Sequence, residues 1–445
     1  MHLDKQTLED LSFFSTEDEY ALFYRLDRSA TNGGRKKLLD LFRNGLDTPE
    51  QILAQQDTVR YLSDHLAAWP VQITNGTIVM LEKYLESNLP CIEQLHDPML
   101  IFKAWITKNI NRTDFNLIRF SVEQTADFMD GLQILLGYFK DKDAPALLRQ
   151  CLKHLNDLLQ SEQLPEIHKE KLIQARYTLQ TDYLIRRKAK RSLRLMMENF
   201  FKLDAWFSLA RVGREMNFTF PELLKSDEPM LETRNLFHPL LPDAVSYTLD
   251  AGTDHPFLFL TGANMSGKST FIRSLGAAVY MAHLGMAVPA AAMRLSFYAG
   301  ICTNINVTDN IFKGESYFFN EVQRVGATIR QINQPGNWLV LMDEMFRGTN
   351  HTDALACSVT VMDGLLKRKN CIFVLSTHLH EVAVHFEQHP KIRFKYFETK
   401  LYNDDRFEYT YQLKDGVSDE KLGLLILKRE GIDQLLQSQN PMQDV

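Results

Sequence analysis

Cysteine is scarce: there are five in 445 residues, Cys91, Cys151, Cys302, Cys357 and Cys371, and none forms a C-x-x-C pair. So few, so widely spaced and odd in number, they exclude a disulfide framework, speak against a zinc site and fit a reducing compartment. Long apolar runs are also missing. The most apolar stretch, Ala277 to Met293, is broken by His283, Gly285 and Pro289. A membrane helix needs ~20 predominantly apolar residues, so a buried core helix is expected there. The opening MHLDKQTLEDLSFF has early acids and no apolar centre of a signal peptide. These absences predict a cytoplasmic protein with no membrane association. A basic excess is absent too: 50 Lys and Arg against 56 Asp and Glu give a net charge of −6, unlike a dedicated nucleic-acid binder. What remains is ordinary globular composition, 45% apolar and 24% charged, which excludes whole-chain disorder. At ~100–200 residues per domain, the length holds two or three domains.

Glycine is unevenly used. Between Gly137 and Gly213 there is none, and apolar residues there recur at helical spacing, as in Leu148, Leu152, Leu155 and Leu159. Leu132, Leu135, Leu136 and Phe139 share a face in the same way. Residues 1–225 therefore read as mainly helical, with breaks near Gly33-Gly34, Asp47-Thr48-Pro49, Asn88-Leu89-Pro90 and Gln163-Leu164-Pro165. Beyond residue 230 the pattern changes. Phe257–Leu260, Trp338–Met342 and Cys371–Leu375 are continuous apolar runs followed by turns and helical stretches, the signature of a parallel sheet covered on both faces. Phe394–Leu401 and Phe407–Leu413, separated by Asn403-Asp404-Asp405, predict a hairpin.

Three strand ends carry chemistry. The first runs into Thr261-Gly262-Ala263-Asn264-Met265-Ser266-Gly267-Lys268-Ser269-Thr270 and then an apolar helix, which is G-x-x-x-x-G-K-[ST] in the context it requires. The two glycines let backbone N–H groups turn inward around phosphates, Lys268 supplies a point charge to the β/γ-phosphates, and the Ser269 hydroxyl suits Mg²⁺. The helix beginning near Lys268 adds the positive end of its dipole. The second strand ends in Asp343-Glu344, an aspartate suited to hold Mg²⁺ through its water shell and a glutamate suited to polarise a water for in-line attack. The third leads to Ser376-Thr377-His378, whose imidazole can donate to the γ-phosphate. The run Arg186–Arg194 reads as a solvated helix face or as a contact for nucleic-acid phosphates.

The wording of these segments is more specific than their chemistry. The P-loop resembles T-G-P-N-M-x-G-K-S-T of the MutS mismatch-repair family, and Leu341-Met342-Asp343-Glu344, Arg347-Gly348-Thr349 and Thr377-His378 resemble its L-x-D-E, R-G-T and A-T-H elements. Val288-Pro289-Ala290, Leu203-Asp204-Ala205 and His238-Pro239 fit further family positions. Asp309, Gly314, Ser316, Phe318 and Glu321 fit the spacing of the family's signature segment. The resemblance is strong over roughly 230–435 and weaker over 20–225. It implies that Tyr411 packs on the nucleotide base, that Asn264 contacts phosphates, and that Ser316 reaches the γ-phosphate of ATP bound by a partner protomer. The sequence also departs from the family: Ala263 replaces a Pro, Asn310 an Asp, Tyr317 a Thr, Phe346 a Gly and Lys421-Leu422 a Ser-Tyr. No Phe-x-Glu suited to read a mismatch is found, and no counterpart of the family's mismatch-reading and nuclease domains.

The resulting expectation is an α/β ABC-type P-loop ATPase domain over 229–445, a parallel-rich sheet with helices, preceded by a mainly helical lever- or core-like domain over 1–228. It would use ATP and Mg²⁺ to switch a homodimer acting on DNA or a DNA-repair partner, without orthodox mismatch reading. Expected site residues are Glu344, His378 and Lys268 for catalysis, Gly262 through Thr270 with Tyr411 and Ser316 (in trans) for nucleotide, and Ser269 with Asp343 for metal. An ATP-driven protein-interaction module with no DNA contact is the alternative. A small-molecule kinase accounts for the P-loop but not for Glu344, His378 and Ser316 together.

Overall fold

The computed structural model describes residues 1, 3–14, 21–92, 94, 99–306, 317–402, 406–418, 422–432 and 435. Helices fill the first half, and their boundaries follow local chemistry. Thr31 caps Asn32–Asn44, with its hydroxyl accepting from the Gly34 N–H at 3.0 Å, and Gly45 in the left-handed region ends that helix. Thr48 caps Pro49–Ser63, whose proline occupies the first turn, where no N–H partner is needed. Thr74 and Thr77 form a reciprocal capping box at the start of Asn75–Glu86. The long helix Arg112–Phe139 follows, and the glycine-poor stretch then builds Ala146–Leu159 and most of Lys190–Glu215. Gly33 and Gly34 do not break a helix but open one. A Cβ on Gly34 would meet the Asp204 carboxylate at 2.0 Å, so glycine lets this helix start lie against Lys190–Glu215.

The basic run behaves differently from a uniformly solvated face. Leu184–Ala189 forms a π-turn leading into Lys190–Glu215. Arg186 in that turn is withdrawn from solvent: its guanidinium makes two 2.6 Å bonds to Asp182 and donates to the carbonyls of Leu89 and Pro90. Tyr84 donates to the same carboxylate at 2.6 Å. Lys190 and Arg194 pair with Glu86. Three cations of the run are thus engaged within the helical half.

Among the described residues, ten strands form two sheets. They are β1 (Glu222–Leu224), β2 (Leu231–Leu236), β3 (Tyr247–Ala251), β4 (Phe257–Thr261), β5 (Ala292–Ser296), β6 (Tyr298–Asn304), β7 (Asn337–Asp343), β8 (Cys371–Ser376), β9 (Ile392–Leu401) and β10 (Phe407–Asp415). The smaller sheet has the order β1-β5-β2-β3 and the larger β10-β9-β4-β8-β7-β6. In the larger sheet β9, β4, β8, β7 and β6 are mutually parallel, and β10 returns antiparallel from β9 as the predicted hairpin. Every residue of β4, β7 and β8 is buried, as expected for strands covered on both faces. Leu260 pairs with Ser376 and Asp343 with Ser376, so the carboxyl ends of all three strands open at one edge. That edge is where ligands bind in open parallel sheets.

The stretch Ala277 to Met293 is buried but is not one helix. The helix Lys268–His283 ends there because Gly285 turns left-handed at φ 64°, a turn its lack of a side chain permits. A Cβ on Gly285 would stand 2.8 Å from the Ile52 carbonyl oxygen, and β5 begins at Ala292. The helix itself is wedged between the two halves of the chain: a Cβ on Gly276 would meet Leu11 at 2.4 Å and Leu341 at 2.6 Å. One apolar cluster accordingly runs from Leu8 and Phe42 through Phe271 and Tyr280 to Leu341 and Val374. Polar bonds cross the same boundary, from Tyr280 to the Phe42 carbonyl at 2.8 Å and from Gln55 to the Leu284 carbonyl at 2.6 Å. Asp10 accepts from the Thr303 hydroxyl at 2.7 Å, fastening the first helix, Lys5–Asp10, to the end of β6.

Candidate active site

The loop between β4 and the helix Lys268–His283 turns tightly. Gly262 and Gly267 have φ of 127° and 111°, and Met265 also lies left-handed at 68° with its side chain exposed. A Cβ on Gly262 would come within 3.1 Å of the Phe397 carbonyl, so a larger residue there would displace the loop from β9. Lys268 is folded into this cradle, its ammonium donating to the carbonyls of Gly262 at 2.8 Å and Ala263 at 2.9 Å. Burial lowers its pKa from the ordinary lysine value, opposed by the charges of Glu344 and Asp343. The Ser266 hydroxyl is buried with no protein partner among the described residues, and Asn264 is exposed.

Asp343, at the end of β7, sits between two hydroxyls: Ser269 donates to one carboxylate oxygen and Ser376 to the other. Glu344 follows in a left-handed turn at φ 55°, its N–H donating to the Ser376 carbonyl at 3.0 Å. That turn separates the two carboxylates: Asp343 faces the hydroxyls, and Glu344 faces cations. Arg347 Nε lies 3.0 Å and His378 Nδ1 lies 3.5 Å from the same Glu344 oxygen. The bond from His378, with the charges of Arg347 and Lys268, holds the Glu344 carboxyl below its usual pKa against the opposing effect of burial. A general base must be unprotonated before it can accept a proton, and this environment keeps Glu344 so.

A cavity of about 720 Å³ collects most of the expected residues: Asn264, Met265, Gly267, Lys268, Ser269, Thr270, Glu344 and Tyr411. Tyr411 stands on the β9–β10 hairpin where the register shifts between Tyr409 and Leu413, and its φ is 56°. That irregularity brings the ring close to the P-loop, since a Cβ on Gly267 would meet it at 3.4 Å. His378 does not line this cavity. It opens with Gly262, Ala263, His351 and Glu381 onto a second one of about 590 Å³, while its Nδ1 reaches Glu344 of the first. Ser316, like Asp309 and Gly314, lies outside the described residues.

Sequence reasoning assigned nothing to three groups that the geometry brings to the site. Leu241, Pro242 and Val245 add apolar lining to the cavity of about 720 Å³. Nothing in such residues announces a ligand, because apolar side chains carry no chemical signature. Ser376 was visible beside Thr377-His378, but its bond to Asp343 depends on strand register. Glu321 was quoted only for its spacing; its carboxylate accepts the backbone N–H groups of Arg347 and Gly348, both at 3.0 Å.

The family model for MutS domain V matches residues 258–440. A DNA mismatch repair protein MutS of Petrotoga mobilis is 32% identical over 237 residues, covering 52% of this chain and 28% of the relative. The DNA mismatch repair protein MSH3 of Candida glabrata is 30% identical over 302 residues, covering 64% and 27% respectively. MutS of Bacillus subtilis is 28% identical over 235 residues, or 52% of this chain and 27% of its own. The matches thus span only about a quarter of the length of these relatives. The P-loop, Asp343, Glu344 and the hairpin tyrosine all fall inside residues 258–440, and over that stretch the chain is MutS-like.

Proposed function

We propose that the chain is an ATPase of the MutS type that uses ATP binding and hydrolysis to switch a homodimer acting on DNA or on a DNA-repair partner. The observation that carries this reading is the meeting of the P-loop Lys268, the Ser269–Asp343 pair and a Glu344 flanked by Arg347 and His378 at the carboxyl ends of β4, β7 and β8. The residues fit the groups proposed for them. Lys268 now satisfies its charge on loop carbonyls and would exchange these for β/γ-phosphate oxygens, and the partnerless Ser266 hydroxyl adds a buried polar group to the same loop. Ser269 and Asp343 are already adjacent and are the residues that would hold Mg²⁺, which when bound neutralises phosphate charge. Glu344 takes the proton of the attacking water, His378 Nδ1 hydrogen-bonds and orients that carboxylate, and Tyr411 stacks on adenine in the cavity that Leu241 and Pro242 also line. Residues 229–445 act as the ATPase domain and 1–228 as the helical lever. Ser316 completes the partner's site in trans.

A salt-dependent DNA-binding measurement on the ATP-bound protein, with duplex, branched and single-stranded DNA, tests the role. Binding that falls steeply with salt supports action on DNA through phosphate contacts. No preference for mismatched over matched duplex is expected, and a several-fold preference would overturn that part of the reading. One observation favours the alternative, an ATP-driven module that engages a protein partner: Arg186, Lys190 and Arg194 are engaged within the chain, in a protein of net charge −6. DNA binding absent at every salt concentration, with ATPase activity present, would select that alternative.

A further inference from the structure

Between Glu344 and Gly348 the backbone adopts two conformations that side chains rarely tolerate, φ 55° at Glu344 and φ 62° at Phe346. Such strain persists only where the surroundings over-determine it. Glu344 is held on one side, through its N–H on the Ser376 carbonyl. Phe346, where the family pattern has glycine, is buried with its ring 6.0 Å from Phe318. Arg347 donates through Nη2 to the Asp343 carbonyl at 3.1 Å, and further support comes from Glu321, whose side chain lies inside the protein on the helix Tyr317–Ile332. Its Oε1 accepts the Arg347 N–H and its Oε2 the Gly348 N–H, each at 3.0 Å. Arg347, fixed in this way through its backbone, turns its guanidinium back so that Nε lies 3.0 Å from the Glu344 carboxylate.

We propose that Glu321 is a positioning residue for hydrolysis: by clamping two successive backbone N–H groups of the turn, it fixes Arg347 and through it aims Glu344 at the attacking water. The proposal rests on the ATPase reading above and adds to it a residue that touches neither nucleotide nor water. The clamp is also tight. A Cβ on Gly348 would stand 2.6 Å from Tyr317 Cδ1 and 2.7 Å from the Phe318 nitrogen, so the turn lies directly on the first turn of the helix. That helix is itself anchored, with Arg324 donating to the Thr303 carbonyl at 2.9 Å and pairing with Asp4. The turn is therefore braced against a fixed element.

The test is single-turnover ATP hydrolysis and ATP binding by the full chain carrying Glu321→Gln or Glu321→Ala, with folding checked by thermal unfolding. Glu321→Gln keeps one acceptor oxygen but turns an NH₂ toward the other N–H, and Glu321→Ala removes both acceptors. The hydrolysis rate should fall in that order, by roughly 10- to 100-fold for the alanine variant, the scale of a catalytic group misplaced by about 1 Å. ATP affinity should change far less than the rate, because Glu321 itself lines neither cavity. In a Glu344→Gln background, Glu321→Ala should cause no further loss, since the two act as one unit. Should Glu321→Ala fail to fold, Gly348→Ala lifts the turn off the helix without removing any carboxylate, and the same rate loss is expected. A folded Glu321→Ala protein with the wild-type rate, or a loss fully additive with Glu344→Gln, would overturn the proposal. A wild-type protein that hydrolyses no ATP would instead overturn the ATPase reading beneath it.

Discussion

Glu344 and Lys268 divide the chemistry by the environments they occupy. Glu344 is surrounded by Arg347, His378 and Lys268, which favour its charged form. Glu344→Gln should therefore keep ATP and Mg²⁺ binding but slow hydrolysis by roughly 10²–10⁴-fold, the scale of a lost general base, as a single-turnover assay would read. Near-normal turnover would remove Glu344 from the mechanism. For Lys268 the sign runs the other way. Burial lowers the pKa of a base, so the ammonium loses its proton below the ordinary lysine value of 10.5. ATP binding should then weaken as pH rises through that lowered value, and nucleotide titrations across the alkaline range would show it. The Lys268→Ala protein, with no proton to lose there, should bind weakly and lack this alkaline limb.

At the scale of elements, two contacts show how helices and hairpins place distant residues. Asp204, on Lys190–Glu215, accepts the N–H groups of Ala30 and Thr31 and the Thr31 hydroxyl, and so holds the entry to Asn32–Asn44. Asp204→Ala would leave the two buried Thr31 donors, its N–H and its hydroxyl, without partners, at ~1–3 kcal/mol for each. A fall of about 2–5 kcal/mol in unfolding free energy is expected from denaturant titration. A change below ~0.5 kcal/mol would mean that the junction is held by packing alone. In the β9–β10 hairpin the irregularity near Tyr411 serves the cavity more than the sheet, for the ring is partly exposed and faces the P-loop. Tyr411→Ala should weaken ATP binding by ~1–3 kcal/mol if the ring stacks on the base, and Tyr411→Phe should bind as the wild type. Equal affinity in all three proteins would leave Tyr411 as hairpin packing only.

On the scale of the whole molecule, the helical half and the α/β half share one apolar cluster, and Lys268–His283 runs through it. Residues 229–445 alone would expose the faces of Tyr280 and Leu284 that now meet Phe42 and Gln55. That fragment should unfold at a lower temperature than the full chain, and the full chain should show coincident transitions by different probes. A fragment as stable as the full chain would show the halves to be independent. The proposed shared site is a separate matter, tested by mixing Lys268→Ala with Ser316→Ala protein. Exchange of subunits can give dimers with one site carrying both defects and one carrying neither, so activity should partly return. A tethered dimer of one wild-type and one doubly mutated protomer is the check: half-normal turnover there would sink the model in trans.

Some of this was legible from residues alone. The P-loop could be read because its glycines, lysine and serine act through local backbone geometry, which spacing in the sequence records directly. The strands β4, β7 and β8 were equally plain, since burial on both faces demands unbroken apolar runs. The break near Asp47-Thr48-Pro49 coincides with the Thr48 cap, whereas Gly33-Gly34, read as a break, lies inside the helix that Thr31 caps. Long-range placement was not legible. Leu241–Pro242 reaches the cavity, Ser376 reaches Asp343, and Arg186 turns inward to Asp182, yet only the last pair is close in sequence. Even there, the burial that withdraws Arg186 comes from Tyr84, Leu89 and Pro90. The two carboxylates of Asp343-Glu344 were adjacent letters with two expected roles, but only the left-handed turn at Glu344 sends them to different partners. Local chemistry repeats wherever its short pattern occurs, whereas a partner across the fold is selected by strand register and packing, which no short stretch of sequence contains.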